Sequence, residues 1–400
     1  MTIDVATGIV RILKQEGVGW VSTFPVCRVN NALGREGVPM LMMRDDRYAV
    51  AVADASSRIT AGSQGGSKIG VCTFQGGVNA AGMQYAYAGM AQAFEDGSPV
   101  LCITDGVPAG ASGNSQYDVA SAMKTVSKWF GYLDKPERTP ELMRRAFTML
   151  RSGRPGPVIL AIPNATATYD ETADPYRPVK GWKSAPDPAD VKAAVDQLLQ
   201  ARNPLIYAGE GVIYAGASEE LKALAELVNV PVITTLKAKG AFPEDHPLFV
   251  GVRGDQVAHY LNKSDLILAI GSSLSPGRFS HGIPDPAKKT IIHCNVDELH
   301  INKMYPTAHA VIGDARLTLQ ALCREVSGRS GAGRAAGDVA AEVKAARDEA
   351  LARYRQVMNS GETPINPYRV YGDLMEVLDR RNSFVTHESG NTRDQLSTVF

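Results

Sequence analysis

Acidic and glycine residues follow two neighbouring apolar stretches near the start of the chain, and their types would suit a ligand site. Asp45 and Asp46 come directly after one apolar run, and Gly76, Gly77 and Asn79 follow the next. A carboxylate can exchange a proton with a ligand, and glycines let a ligand approach the backbone closely. Ligands of open α/β sheets bind at the carboxyl ends of strands, so we predict a site where these loops meet.

A predicted βαβαβ unit, from Met40 to Gly106, positions these loops. Its strands are predicted at the apolar runs 39–43, 68–73 and 99–104. An earlier apolar run ends at Thr23, and the loop after it contains Pro25 and Val26. Since the carboxyl ends of parallel strands lie along one edge of a sheet, we expect the loops to converge there.

Each of these features also has a purely structural explanation. Asp45 and Asp46 start a predicted helix, where aspartates cap free N–H groups and complement the helix dipole, together worth about 0.5–2 kcal/mol. A glycine pair before a helix, here Gly76-Gly77, usually marks a tight turn. The sequence alone leaves both interpretations open.

The second half of the chain carries weaker signals. The stretch from Gly271 to Gly277 follows a predicted strand and could hold nucleotide phosphates on its backbone amides, although the G-x-G-x-x-G fingerprint is absent. His281 and His300 are single loop histidines, which are more often solvated or hydrogen-bonded than catalytic. No Ser-His-Asp spacing or nucleophile elbow occurs, which favours chemistry carried by a cofactor.

The composition limits the kind of partner. The 42 Lys and Arg residues balance the 42 Asp and Glu residues, which argues against a nucleic-acid or membrane surface and favours small molecules or like subunits as partners. The five cysteines show no C-x-x-C spacing, so we expect neither a disulfide framework nor a zinc site, and a reducing cytoplasm fits. No apolar run approaches the length of a membrane span.

The order of apolar and polar stretches predicts two doubly wound α/β domains with parallel sheets, followed by the opening of a third α/β domain. We expect a strand at Ser383–Thr386 in that third segment, and a strand and helix cannot form a domain alone. The remainder is expected on another polypeptide or outside the 400 residues. The predicted boundaries are 1–165 and 189–325 for the two domains, 166–188 and 326–362 for linkers, and 363–400 for the third segment.

Several motifs resemble those of the thiamine-diphosphate-dependent enzymes that include acetolactate synthase, 2-hydroxyacyl-CoA lyase and 2-oxo acid decarboxylases. The similarity covers the whole chain. Its motifs are Phe24-Pro25, Asp54 with Arg58, Gly76 with Asn79, Ala88–Asp96 leading to Pro99, Gly153–Val158, Lys237–Pro243, Gly251, Asp265–Gly271, Asn295-Val-Asp297, Gly313-Asp-Ala315 and Glu388–Thr392.

The resemblance implies that the first domain binds the pyrimidine ring of thiamine diphosphate and that the second is the central Rossmann-like domain. The cofactor would lie between the pyrimidine domain of one subunit and the diphosphate domain of another, in a dimer or tetramer. In the family a glutamate activates the cofactor, which then attacks a 2-oxo acid or cleaves a 2-hydroxyacyl substrate. The aligned acid here is Asp46, and the cofactor-facing residues would be Pro25, Val26, Gly76, Gly77, Asn79, Glu388, Gly390 and Asn391.

This chain departs from the family pattern at several of these positions. Asp46 is one methylene shorter than glutamate, and roughly 1 Å of misplacement can cost about 100-fold in rate. Arg44 and Arg47 are expected to favour the charged form of that carboxylate. Val26 and Cys27 replace two glycines of the first loop. The Gly-Asp-Gly and Asn motif that holds Mg²⁺ is absent, so the metal ligands are expected outside this chain.

Three hypotheses follow. The chain is the pyrimidine and central portion of a carboligase, lyase or decarboxylase that needs a complementing diphosphate-domain polypeptide. Alternatively, it is a non-catalytic or regulatory subunit that keeps the fold. In the third hypothesis it binds a nucleotide through the central domain alone, and the residues around Arg278-Phe279 give no convincing flavin signature, so FAD or a nucleotide there stays open.

Overall fold

The computed structural model describes residues 1–63, 68–77, 80–108, 118–277, 281–329 and 338–400. The chain forms two compact units, Met1–Lys183 and Ser184–Phe400. Each unit contains a parallel sheet with helices packed against it, so the predicted α/β class with two doubly wound domains is confirmed.

The first unit alternates short strands and helices. In chain order its strands are β1 (Thr2–Asp4), β2 (Val21–Thr23), β3 (Met40–Met42), β4 (Gly70–Phe74), β5 (Val100–Asp105), β6 (Trp129–Tyr132), β7 (Val158–Ile162) and β8 (Thr168–Asp170). Its helices are α1 (Val5–Gln15), α2 (Val29–Arg35), α3 (Asp46–Ile59), α4 (Ala81–Glu95), α5 (Val119–Lys124) and α6 (Thr139–Arg151). Six strands pair in parallel in the order β3-β2-β4-β5-β7-β6.

The central strands of this sheet are covered on both faces. Every residue of β4, β5 and β7 is buried, and their sequences are mostly apolar, with Thr73 in β4 and Thr104 and Asp105 in β5 as the polar residues. Helix α3 contacts β4 closely: a Cβ added at Gly70 would lie 1.9 Å from the carbonyl oxygen of Ala53. Helix α3 therefore packs at a fixed position on β4.

The second unit repeats the same construction. In chain order its helices are α7 (Pro188–Gln200), α8 (Gly211–Ala215), α9 (Ser218–Val228), α10 (Asp255–Lys263), α11 (Ala315–Ser327), α12 (Val339–Met358), α13 (Pro367–Val377) and α14 (Asn391–Val399). Its strands are β9 (Pro204–Ala208), β10 (Val232–Thr234), β11 (Phe249–Gly251), β12 (Leu266–Ile270), β13 (Thr290–Asn295) and β14 (His309–Ile312). All pair in parallel in the order β11-β10-β9-β12-β13-β14.

The segment 166–188, predicted as a linker, is partly structured. Its strand β8 pairs antiparallel with β1, with Tyr169 opposite Ile3. Glu16, whose side chain is buried, accepts hydrogen bonds from the Tyr176 hydroxyl and from the Val179 amide (2.9 Å). These contacts attach residues 166–183 of the segment to the first unit, because the buried carboxylate needs the donors that they supply.

The strand predicted at Ser383–Thr386 is wrong. These residues lie in a loop between α13 and α14, and none of the strands that the structure describes pairs with them. Phe384 is 84% exposed. The residues have strand propensity, but a strand needs a neighbour that accepts its backbone hydrogen bonds, and in the described part of the chain none lies beside it.

Candidate functional site

The loops after β2 and β4 meet at the point where the strand order of the first sheet reverses. The chain leaves β2 toward β3 and later returns to place β4 on the other side of β2. Phe24 N donates to the Thr73 carbonyl (3.1 Å). The Asn30 side-chain amide donates to Phe24 O (3.0 Å) and its oxygen accepts the Thr73 hydroxyl (2.7 Å). Loops at such a reversal form the usual ligand crevice of an open α/β sheet.

The two adjacent aspartates have different roles. Asp45 is the N-cap of α3, and its carboxylate accepts Tyr48 N (2.9 Å), as the structural explanation predicts. Asp46 lies in the first helical turn, is only 4% exposed, and its Oδ1 accepts the backbone N–H of Gln75 (2.9 Å). The second carboxylate is therefore directed at the glycine-containing loop rather than at its own helix.

Burial raises the pKa of Asp46, because removing a carboxylate from water disfavours its charged form. The N–H groups of Gln75 and of Asp46 itself lower the pKa, and the negative charge of Asp45 raises it, both by less than burial does. The expectation that Arg44 and Arg47 would favour the charged form is wrong. Both arginines are exposed, and neither contributes to the shift.

The loop after β4 needs its glycines. A Cβ added at Gly76 would lie 2.2 Å from Thr104 Oγ1 and 2.3 Å from Asp105 O. Gly77 has a φ of +79°, a conformation that glycine adopts readily, and its N–H donates to Asp105 O (2.8 Å). Asn79, the further predicted ligand of this loop, lies outside the described residues.

The loop after β2 presents an exposed tip. Pro25 and Val26 are exposed, and Val26 has a φ of +79° although it is a β-branched residue. The next residue, Cys27, is buried, and its Sγ is 3.9 Å from Ile103 O. The sequence substitution of two glycines by Val26 and Cys27 thus leaves a left-handed backbone at a residue that disfavours it.

The remaining predicted cofactor residues lie in the second unit. Glu388 and Asn391 are exposed, Asn391 is the first residue of α14, and the Glu388 carboxylate accepts the N–H of Gly390. The Glu388–Gly390 contact shapes the turn that opens α14, and the role of these residues toward a cofactor stays a prediction.

Sequence reasoning missed three residues of this site. Asp105 ends β5 and is 8% exposed, the Gln75 amide binds Asp46, and Asn30 joins the two loops. Asp105 had a readable signal, because an acid directly after a buried apolar strand of the same βαβαβ unit lies on the same edge. Nothing in the sequence marks the backbone amide of Gln75 or the side chain of Asn30.

In the second unit the start of the stretch from Gly271 to Gly277 packs against the loop after β9. Gly211 N donates to Gly271 O (2.9 Å), and a Cβ at Gly209 would lie 2.4 Å from the same oxygen. These glycines let the loops after β9 and β12 pack together, so their presence does not require a phosphate. Burial, with the charge of Arg253, lowers the pKa of His281. Arg278 and Phe279 lie outside the described residues, and a nucleotide here stays a prediction.

The described residues, 1–63, 68–77, 80–108, 118–277, 281–329 and 338–400, also bear on membrane spans and metal sites. Across these ranges no helix combines the length and apolar character that crossing a membrane requires. The same ranges contain no group of three or more His, Cys, Asp or Glu side chains arranged to hold a metal ion.

Comparison with known proteins gives consistent matches over both units. Residues 3–127 match the model of the thiamine pyrophosphate enzyme N-terminal TPP binding domain, and residues 191–322 match that of the thiamine pyrophosphate enzyme central domain. A probable acetolactate synthase large subunit of Methanocaldococcus jannaschii is 31% identical over 99% of this chain and 68% of its own length. Glyoxylate carboligase of Escherichia coli O157:H7 is 29% identical over 94% of this chain and 64% of its own. An acetolactate synthase large subunit of Corynebacterium glutamicum is 34% identical over 70% of this chain and 45% of its own. The chain belongs to the thiamine pyrophosphate enzyme family.

Proposed function

We propose that this chain supplies the pyrimidine-binding and central portions of an acetolactate synthase-like enzyme that forms or cleaves C–C bonds of 2-oxo acids or 2-hydroxyacyl substrates. It would act with a complementing diphosphate-binding portion that brings the Mg²⁺ ligands, and with like subunits in a dimer or tetramer. Family membership and the names of the relatives support the reaction class. A cytoplasmic location and a flavin or nucleotide in the central unit are further, separate proposals.

The first unit fits the pyrimidine side of thiamine diphosphate in three respects. The ring needs a buried acid, and Asp46 is buried. The acid must be held beside the loop after β4, and Gly76 lets that loop pack against the end of β5, where a Cβ at Gly76 would lie 2.2 Å from Thr104 Oγ1. The acid must be able to hold a proton near neutral pH, and burial raises the pKa of Asp46 in that direction. When bound, the cofactor supplies a carbon nucleophile that adds to the substrate carbonyl.

The residues of this chain would then have distinct roles. The Gln75 N–H fixes Oδ1 of Asp46. The Asp46 carboxyl would share a proton with the ring. Pro25 and the two glycines would form the walls that orient the ring and exclude water. The site's acid is held by a backbone amide, which preserves its position while its protonation changes.

The observation that carries the proposal is the buried Asp46 carboxylate, bonded to the glycine loop at the reversal point of the sheet. The test mixes this chain with a polypeptide made from the part of the M. jannaschii relative that this chain does not cover, thiamine diphosphate, Mg²⁺ and a 2-oxo acid such as glyoxylate or pyruvate. Asp46→Ala should lower kcat by about 100-fold or more, as loss of a positioned acid does. Asp45→Asn, which keeps the helix cap, should stay within a few-fold of the unsubstituted chain.

A non-catalytic subunit is the second candidate, and the short side chain at position 46 favours it. Turnover by the Asp46→Glu variant, compared with turnover by the original chain, separates a catalytic from a non-catalytic subunit. If the chain is catalytic, both the aspartate and the glutamate forms turn over substrate in the complemented mixture. If turnover is absent in the original chain, or is unaffected by Asp46→Ala, the catalytic proposal is wrong.

A further inference from the structure

A second buried acid joins the two loops of the proposed site. Asp105 is the last residue of β5, and its side chain accepts Arg28 N through Oδ1 (3.3 Å) while its main-chain carbonyl accepts Gly77 N (2.8 Å). The first bond holds the loop after β2, and the second holds the loop after β4. One residue therefore contacts the backbone of both loops that the proposed function assigns to the cofactor.

The loop that the Asp105 side chain holds is strained. Val26 has a φ of +79° and is 66% exposed, so no packing around its side chain compensates for the unfavourable backbone. Such a residue is disfavoured and persists only where neighbouring contacts impose it. The neighbouring contacts on this side are the Arg28 amide on Asp105 and the buried Cys27, two and one residues away.

The contact is made by the side chain of Asp105. Its hydrogen bond comes from the backbone N–H of Arg28, and the charge of the exposed Arg28 guanidinium lowers the pKa of Asp105 less than this bond does, so an amide oxygen at the same place can still accept the N–H. Neighbouring contacts of β5 do not involve this carboxylate: Thr104 Oγ1 donates to Phe74 O (3.0 Å) and Gly106 N to Ile162 O (2.8 Å). Removing the side chain should therefore release the Arg28 end of the loop, while Phe24 N still donates to Thr73 O and the strand stays in place.

We propose that Asp105 is a positioning residue for the thiamine diphosphate site, whose side chain holds the loop 24–28 in its strained conformation against β5 while its main chain fixes the glycine loop. The inference rests on the proposed function for what the loops bind. The two hydrogen bonds that Asp105 accepts are a property of this chain and can be tested without any cofactor.

The first measurement is amide hydrogen exchange, resolved to single residues, in the full chain. Asp105→Ala should accelerate exchange at Arg28 about tenfold, as expected for loss of one hydrogen bond, and leave Gly77 protected because its acceptor is a main-chain carbonyl. Asp105→Asn should keep Arg28 protected, because the amide oxygen can still accept. Unchanged exchange at Arg28 in Asp105→Ala overturns the proposal, and so does loss of protection at both amides, which would indicate general unfolding.

The second measurement uses the strain at Val26. Glycine adopts positive φ readily, so Val26→Gly should let the loop keep its conformation without the Asp105 contact. In the complemented enzyme, Asp105→Ala should therefore raise the apparent KM for thiamine diphosphate much less in the Val26→Gly background than in the original chain. Equal effects in both backgrounds reject the coupling. If the proposed function fails instead, no variant uses thiamine diphosphate, yet the exchange pattern at Arg28 and Gly77 is retained.

Discussion

At the scale of single residues, burial of Asp46 has a consequence for stability. Its pKa is raised in the folded chain, mainly by desolvation, so the folded state holds the proton to higher pH than the unfolded state does. The stability that this carboxyl contributes is complete below the ordinary aspartate pKa of about 3.9 and is lost as pH rises through the raised value. Asp46→Asn, which keeps an oxygen for Gln75 N, should therefore melt at a higher temperature than the original chain at pH 7.

The same comparison at lower pH is the control for that prediction. Below pH 4 the carboxyl of the original chain is protonated as well, so the two melting temperatures should converge. Calorimetry or circular dichroism across this range measures the difference. If Asp46→Asn is less stable at pH 7 than the original chain, the charged carboxylate is favourable and the burial argument is wrong.

The different behaviour of Asp45 and Asp46 shows what the sequence reveals of a site and what it does not. Two adjacent acids after an apolar strand could cap the helix or face a ligand, and in the structure Asp45 caps α3 while Asp46 accepts the Gln75 N–H. The choice depends on which carboxylate the loop after β4 covers, and that loop is 29 residues away along the chain. The influence of Arg44 and Arg47 was overestimated for the same reason, because adjacency in sequence does not say which side chains face water.

At the scale of elements, α4 is held against the site by Gly82. A Cβ there would lie 2.6 Å from Asp46 Oδ1 and 2.6 Å from Gln75 O. Glycine to alanine inside a helix normally stabilises by about 1 kcal/mol, but forcing a methyl group into a packed core costs about 1–3 kcal/mol. Because one contact is a backbone oxygen that cannot rotate away, we expect Gly82→Ala to lower the urea midpoint.

Gln84→Ala is the matched control for that prediction. It lies exposed on the same helix, so its effect on stability should stay within about 0.5 kcal/mol. Gly82→Ala should in addition weaken the Asp46 to Gln75 hydrogen bond, which faster exchange of the Gln75 amide would report. Equal midpoints for Gly82→Ala and Gln84→Ala would mean that α4 shifts freely and does not fix the acid.

Elements with a strong apolar pattern were predictable, and elements that depend on a distant partner were not. The runs that became β4, β5 and β7 are continuous and apolar, so their ends, and with them the site loops, follow from the sequence. Strand β8 was missed because its three residues are stabilised by pairing with β1, more than 160 residues earlier. Ser383–Thr386 is the opposite case, because these residues have strand propensity but no described strand pairs with them.

At the scale of the whole molecule, every hydrophobic cluster in the described part of the chain lies within one unit. Two clusters belong to the first unit, with Phe147 in one of them, and the others belong to the second unit, with Phe242 in the largest. The predicted site residues, by contrast, come from both units, Asp46 from the first and Glu388 from the second. Each unit therefore has hydrophobic clusters of its own.

Separate cores predict separate unfolding transitions. Phe147 and Phe242 are both fully buried, and truncation of a buried phenylalanine to alanine costs about 3–5 kcal/mol. For units of this size that shifts a melting temperature by on the order of 10 °C. Calorimetry should resolve two transitions, with Phe147→Ala lowering one and Phe242→Ala the other, so each variant serves as the control for its partner. If either substitution lowers both transitions equally, the units unfold as a single cooperative body, and a substitution in one core would then also destabilise the site residues of the other unit.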